Sequence, residues 1–391
     1  MEINNHAVIC GRKLEFFSHS SGEEFGYKRP QEDTFAVLYP KDYDENKIYP
    51  LCVVFHSAGH GVFNIFFCLP SEGDHDIYHI PDNMFGLYPD CRCHAWDADS
   101  TDWWWGGRSA QEPEINERSG VALSPAERRC FAEIEQTLSL FPIDKNRIYG
   151  VGNSMGGSGA LGMGLSHGEL FAALKVNVAA GVYHALDRCG IAGDAPDGFS
   201  IPDPPVVVDY SAQNDTWSAG HGDLYRAMRE HDFAFMGFWG PFGHENNNAK
   251  IKEYNDLVHA FDIFSVKKNE AYPAFTNSSA DDRNPWENPQ RGAVSGQVNG
   301  FYRWRIISDT ENEFSIELRM MRQDEWESRL NFPEESTADV TLRRLQNFRL
   351  SDGETVSYTY GEKSGTHTVS GAPKFKGLKI TTVPTVLTIR K

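Results

Sequence analysis

The sequence predicts an α/β protein, with a mostly parallel sheet flanked by helices and then a small all-β sandwich. Three observations carry this. Between about residues 35 and 240, short apolar runs alternate with helical stretches, the pattern of strands joined by crossover helices. A glycine-rich stretch, "GVGNSMGGSG" at 150–159, closes one of those runs. Beyond about residue 265 only short runs with alternating apolar positions remain, split by Gly, Pro and Asp turns. The expected boundaries are an α/β domain over 1–267, a linker or wrapping segment over 268–295 and a β-sandwich accessory domain over 296–391.

In order along the chain, "FAVLYPKDYDENKIYPLCVVFH" at 35–56 reads as two strands around a polar loop. "SPAERRCFAEIEQTLSLF" opens a helix, with Ser124 as N-cap, Pro125 at the first helical position and Glu127 closing a capping box. Its Phe131, Ile134 and Leu138 recur at helical spacing. "DKNRIYGV" then supplies a turn and a strand, followed by a helical stretch from Ser154 to about Ser166. Strand-like runs follow at 172–180 and 204–212. The segment 269–292, rich in Pro, Asn, Asp and Ser, has no periodicity. After it, "GFYRWRII", "EFSIELRM", "ADVTLRRL", "ETVSYTY", "LKITTV" and "VLTIRK" read as sandwich strands.

Composition narrows the function. Of 391 residues, 40% are hydrophobic and 24% charged, as in a chain that buries a core rather than one that stays disordered. A formal net charge of −18 argues against general affinity for nucleic-acid phosphates or anionic membranes. No apolar stretch approaches the ~18 residues of a membrane span. Neither nucleic acid nor membrane is expected as a partner, and oligomeric state is not legible. "MEINNHAVICGRKLEFF" lacks the basic start and apolar core of a secretory leader. The expected compartment is the cytoplasm if Met1 is the natural start, or a secreted or periplasmic place if a leader has been removed. Seven cysteines at irregular spacings give no disulfide framework, and "CRC" at 91–93 is too tight for a zinc-binding pair.

The chemistry centres on Gly152-Asn153-Ser154-Met155-Gly156, a G-x-S-x-G pattern with a strand before it and a helix after. Glycines let the backbone bend sharply there so that the hydroxyl projects above the sheet. The following helix aims its N–H groups at a developing oxyanion. A serine hydroxyl needs a base, and the base needs a carboxylate. In the chain order that goes with this motif the acid follows the serine and the histidine comes last. Asp215, in a loop beyond the run at 204–212, is the expected acid, with Asp209 and Asp223 as reserves. Among His184, His221, His231 and His244, the base is expected at His244, on the Gly/Pro-rich loop "FWGPFGHENNN". His221 reads as a surface or substrate-contacting residue, and His231 as a solvated or helix-capping one.

An oxyanion hole takes one amide from Met155 and a second from the loop "VVFHSAGHG" at 53–61, where Ser57 or Ala58 is the expected donor and His56 and Gly59 shape the turn. His56 and His60 have no Asp, Glu or Cys at useful spacing, so no metal is expected. "DWWWGG" clusters Trp103, Trp104 and Trp105. Adjacent residues cannot all face one side, so these rings divide between lining a cleft and packing the core. Together with His56, Asn153 and Trp217 they make up the expected substrate contacts.

These pieces resemble the α/β-hydrolase superfamily and, within it, esterases related to feruloyl and acetylxylan esterases and polyhydroxybutyrate depolymerases. The matching stretches are "YPLCVVFHSAGHG", "DKNRIYGVGNSMGG", "SAQND" and "GPFGH", spread over residues 35–260. The resemblance implies the α/β-hydrolase fold, with Ser154 as nucleophile, His244 as base, Asp215 as its partner, and Met155 with the 57–58 loop as oxyanion donors. No cofactor or metal is implied. "DWWWGG" and "ADVTLRRLQNF" also resemble hydrolases loosely grouped with prolyl oligopeptidases, although the chain has no room for their propeller. "HSAGH" departs from the more usual "HGGG" or "HGxG". The expected activity is a serine carboxylic ester hydrolase acting through an acyl-enzyme, on acyl or feruloyl esters of polysaccharides or related carbohydrate esters. The alternatives are a serine peptidase and a catalytically inactive glycan-binding protein. The sandwich reads equally as a ligand holder or as a shield for the first domain.

Overall fold

A computed structural model of the chain describes residues 2–71, 78–91, 102–104, 120–191, 196–244, 257–287, 295–326 and 331–391. Strands β1 (Glu2–Ile9), β2 (Arg12–Ser21) and β3 (Gln31–Leu38) form an antiparallel meander. They lead into β4 (Tyr49–Phe55), β5 (Phe85–Tyr88), β6 (Ile143–Asn153), β7 (Ala173–Asn177), β8 (Val206–Ala212) and β9 (Phe235–Gly240), which run parallel to one another. Two more strands follow, β10 (Tyr272–Thr276) and β11 (Gly296–Val298). The principal sheet has ten strands in the order β1-β2-β3-β5-β4-β6-β7-β8-β9-β11.

Parallel strands covered on both faces need uninterrupted apolar sequence, and β4 ("YPLCVVF") and β8 ("VVVDYSA") are buried at every position. The chain leaves β4 toward β5 on one side and returns to β6 on the other. That reversal of strand order makes the carboxyl ends of β4 and β6 the place where an open parallel sheet holds its ligands.

Helices among the described residues include α1 (Ile65–Cys68), α2 (Pro125–Leu140), α3 (Met155–Leu165), α4 (Tyr183–Arg188) and α5 (His221–Glu230). The capping box expected at Ser124 is present. Its hydroxyl accepts from Glu127 N–H at 3.2 Å, and Glu127 Oε2 accepts from Ser124 N–H at 2.7 Å. Residues from α2 to α5 bury Ile134, Leu161, Leu186 and Leu224 in one core with Leu51, Val53, Leu174 and Val207 of the sheet. None of the described helices is long and apolar enough to cross a membrane.

The remaining strands are β12 (Tyr302–Asp309), β13 (Glu313–Met320), β14 (Glu335–Arg343), β15 (Thr355–Tyr360), β16 (Lys363–Thr368), β17 (Lys374–Thr381) and β18 (Thr385–Arg390). They make two antiparallel sheets, β10-β14-β17 and β12-β13-β18-β15-β16. Ile316, Leu318, Leu387, Val340, Leu342 and Ile380 of these sheets share one core, which continues to Val208, Tyr210 and Phe238 of the principal sheet. The segment 268–295, expected as a linker or wrapping segment, contains β10. Pro273 masks the strand signal in "AYPAFT" and is tolerated because β10 is the edge of its sheet. Within the expected sandwich, β11 instead extends the principal sheet by pairing with β9.

Candidate active site

Ser154 sits between β6 and α3 with φ 58° and ψ −121°, a backbone conformation that costs of order 1–3 kcal/mol for a residue with a side chain. The elbow is held from both sides. Ser154 N–H donates to Asn177 O at the end of β7, and Ala180 N–H donates to Ser154 O. Two glycines make the bend possible. A Cβ at Gly152 would lie 2.1 Å from Gly156 O, and one at Gly156 would lie 2.0 Å from Phe55 O. The strand, the helix and the end of β4 therefore meet at distances that only glycine allows. Met155 is the first residue of α3, so its N–H has no acceptor within the helix and stands at the positive end of the helix dipole.

Three side chains from three loops meet above this elbow. Ser154 Oγ lies 2.7 Å from His244 Nε2, and His244 Nδ1 lies 2.6 Å from Asp215 Oδ2. Asp215 caps the short turn after β8, its Oδ1 accepting from Trp217 N–H at 2.8 Å. It is 1% exposed, whereas the His244 side chain is 33% exposed. The carboxylate is thus shielded while the imidazole is partly open to solvent. With Oδ2 as acceptor, Nδ1 carries the proton and Nε2 is free to accept one from the serine hydroxyl.

The reserve residues lie elsewhere. Asp209 is fully buried in β8, where it accepts from Tyr225 Oη at 3.2 Å. Asp223 pairs with Arg226 on α5. His221, expected at the surface, is instead completely buried: Nδ1 donates to Ser218 O at 2.9 Å, and Ser211 Oγ lies 2.5 Å from Nε2. The ring occupies the first turn of α5, whose buried face covers the sheet. His231 follows the last turn of α5 and is exposed, and His184 lies on α4.

At the turn after β4, the two candidate oxyanion donors separate. Ser57 N–H donates to Tyr78 Oη at 3.1 Å, and its hydroxyl donates to Asn153 O at 2.9 Å. Ser57 is therefore engaged in holding the turn, which leaves the Ala58 amide as the candidate beside Met155. His56, expected to contact substrate, is a buried brace. Its Nδ1 donates to Ser57 O at 2.9 Å, and its Nε2 accepts from Cys91 N–H at 3.1 Å. Asn153 is buried as well, with Nδ2 3.4 Å from Ser57 Oγ, so it links the elbow to the β4 turn.

The tryptophans also divide. Trp104 has no exposed surface, packs edge-on against Phe55 and donates from Nε1 to His56 O at 2.9 Å. It is a core residue, not a substrate contact. Trp103 is half-buried against the same core, and Trp105 lies outside the described residues. Trp217 is 54% exposed, with its ring centroid 6.5 Å from that of His244, which puts an open aromatic face beside the imidazole. Sequence reasoning missed Tyr78, which approaches the β4 turn from 21 positions away. It also missed Trp286, which reaches the acid loop from a segment without periodicity. No local pattern marks either one.

No protein-family model matches the chain, and no curated protein does. Solved structures similar to it include an S-formylglutathione hydrolase from Agrobacterium tumefaciens, at 15% identity and TM-score 0.44, covering 63% of this chain and 93% of that one. A fluorophosphonate-binding serine hydrolase from Staphylococcus aureus gives 13%, 0.41, 63% and 96% in the same order. A ferulic acid esterase from Anaeromyces mucronatus, solved with ferulic acid, gives 15%, 0.38, 65% and 96%. The parallel sheet, the serine on the strand-to-helix elbow after β6, and an acid and a histidine following β8 and β9 give this chain the α/β-hydrolase fold.

Proposed function

We propose that the protein is a serine carboxylic ester hydrolase in which Ser154 is the nucleophile, His244 the general base and Asp215 the residue that orients it. The observation that carries this reading is the unbroken line of hydrogen bonds from Ser154 Oγ through His244 to Asp215, at 2.7 and 2.6 Å. A surface serine meeting a histidine by chance would not also occupy a strained elbow at a helix N-terminus. In the reaction Ser154 Oγ attacks the ester carbonyl as His244 Nε2 takes its proton. The oxyanion forms where the amides of Met155 and Ala58 can donate. His244 then gives the proton to the leaving alcohol. Water attacks the acyl-enzyme with the same imidazole as base, which releases the acid and restores the serine.

For the substrate we infer acyl or feruloyl esters of polysaccharides or related carbohydrate esters. Trp217 supports this, because an exposed indole beside the base offers a flat apolar face to a sugar or aryl ring. The reaction and the substrate are tested together. A fluorophosphonate probe should label wild type and not Ser154→Ala, and acetylated or feruloylated glycans should be cleaved. An unlabelled wild type means a catalytically inactive binding protein. Faster release of amine from aminoacyl nitroanilides than of alcohol from matched esters means a peptidase. Cleavage of short nitrophenyl esters with every glycan ester left intact would sink the carbohydrate assignment alone.

A further inference from the structure

The loop that carries Asp215 is held by a residue from a distant part of the chain. Trp286 lies in a single turn, Pro285–Glu287, just before β11. Its indole Nε1 donates to Ser218 Oγ at 3.0 Å, and Ser218 Oγ donates to Asp215 O at 2.7 Å. A serine hydroxyl has one proton. With the indole N–H occupying an acceptor position on the oxygen, that proton is directed to the Asp215 carbonyl. The indole also stacks on His221 at 5.1 Å between centroids and 23° between planes, and His221 Nδ1 donates to Ser218 O at 2.9 Å. Tyr225 and Trp239 rings lie 5.4 and 6.1 Å from the indole. The fit is close, since a Cβ at Gly222 would lie 3.2 Å from Trp286 Cβ.

We infer that Trp286 is a positioning residue for the acid: through Ser218 it sets where the Asp215 carboxylate meets His244. This rests on the reading of Ser154, His244 and Asp215 given above. Asp215 is tied into its surroundings at three points. Its backbone carbonyl is bound by Ser218 Oγ, its Oδ1 by Trp217 N–H at 2.8 Å, and its Oδ2 by His244 at 2.6 Å. Freeing the Ser218 hydroxyl to rotate loosens the carbonyl end and lets the carboxylate drift from the imidazole. Misplacements of about 1 Å at such a site cost rate steeply. Because β11, which follows Trp286, pairs with β9, the late part of the chain has a task in the site without touching substrate.

The test uses Trp286→Phe, which keeps a ring in the stack but removes the donor, Ser218→Ala, and the double variant, all in the full chain. The far-downfield proton resonance of His244 Nδ1–H, assigned by its loss in Asp215→Asn, reads the His–Asp contact whether or not any ester is cleaved. We expect it to shift or broaden in both single variants. With nitrophenyl acetate, kcat should fall about tenfold with KM changed less than about twofold. The double variant should be no worse than Ser218→Ala alone, as for two residues acting in series. Trp286→Phe with a lower Tm but a wild-type resonance and kcat would make the indole merely structural and overturn the inference, as would strictly additive effects. A wild type that cleaves no ester would remove the proposed function, and the resonance would still decide the role of Trp286.

Discussion

Ser57 N–H donates to the Tyr78 hydroxyl oxygen at 3.1 Å, and that oxygen lies 2.5 Å from His60 Nδ1. The turn after β4 is thereby moored to a ring outside it. Burial holds the Tyr78 phenol above its ordinary pKa, so it keeps its proton and can donate a hydrogen bond to the imidazole while accepting from Ser57. Tyr78→Phe leaves the Ser57 amide buried without that acceptor. Stability should drop by about 1–3 kcal/mol, and kcat should fall about tenfold as the oxyanion turn relaxes. Urea unfolding and steady-state kinetics check the two parts. An unchanged kcat would show that the turn keeps its shape without the phenol.

The three hydrogen-bonded side chains should behave as a unit. Ser154→Ala and His244→Ala are each expected to lower kcat by about 10⁴-fold or more, and the double variant by little beyond either single one. Asp215→Asn should be severe for a different reason: its amide can face Nδ1 with an N–H and favour the wrong tautomer. Rates on a nitrophenyl ester, with circular dichroism to correct for folded fraction, measure all four variants. Losses that multiply across Ser154 and His244 would mean that the two do not share one proton transfer.

What was legible in the sequence is what local chemistry dictates. Gly152 and Gly156 announce their turn because a Cβ at either would collide with backbone, and the capping box at Ser124 marks the start of α2. The pairing of Ser154 with His244, 90 residues apart, followed from chain order and from the glycine-rich loop that carries the histidine. Burial was harder to read. His221 reads as a surface or substrate-contacting residue and His56 as a turn-shaping substrate contact in sequence, yet each has both ring nitrogens satisfied inside the core. "DWWWGG" does not say which ring faces inward, because adjacent residues there carry no periodicity. Strands β1 and β2 carry no clear strand signal because Asn4, Asn5 and His6, and Ser18 to Ser21, interrupt the apolar alternation.

Trp104 and Trp217 should respond oppositely to truncation. Trp104→Ala would empty a fully buried site and leave His56 O without its donor, costing about 3–5 kcal/mol. Trp217→Ala removes an exposed ring, so stability should change by less than about 0.5 kcal/mol. Its effect should appear as a higher KM for aryl or glycan esters and an unchanged rate on nitrophenyl acetate. Thermal unfolding separates the pair. Equal KM values for Trp217→Ala and wild type on feruloyl esters would remove that ring from the binding surface.

Asp281 should give the chain a pH-dependent stability apart from the proposed catalytic residues. It lines a cleft with Tyr225, Phe235 and Phe275. Desolvation there raises its carboxyl to about 7, with Asp282 adding to the rise and the Asn299 N–H, the Ser278 hydroxyl and Arg229 opposing it. An unfolded aspartate titrates near 3.9, so between about pH 4 and pH 7 the folded state binds more protons than the unfolded one. Stability must therefore decline as pH rises through that window and level off above it. Asp281→Asn keeps an oxygen to accept the Asn299 N–H, now at 2.8 Å, and removes the ionisation. Urea unfolding at pH 5, 6, 7 and 8 should show a flatter profile for the variant and greater stability than wild type at pH 8, by about 1 kcal/mol or more. Parallel profiles would place the Asp281 titration at the same pH in both states, with its charge already accommodated in the fold.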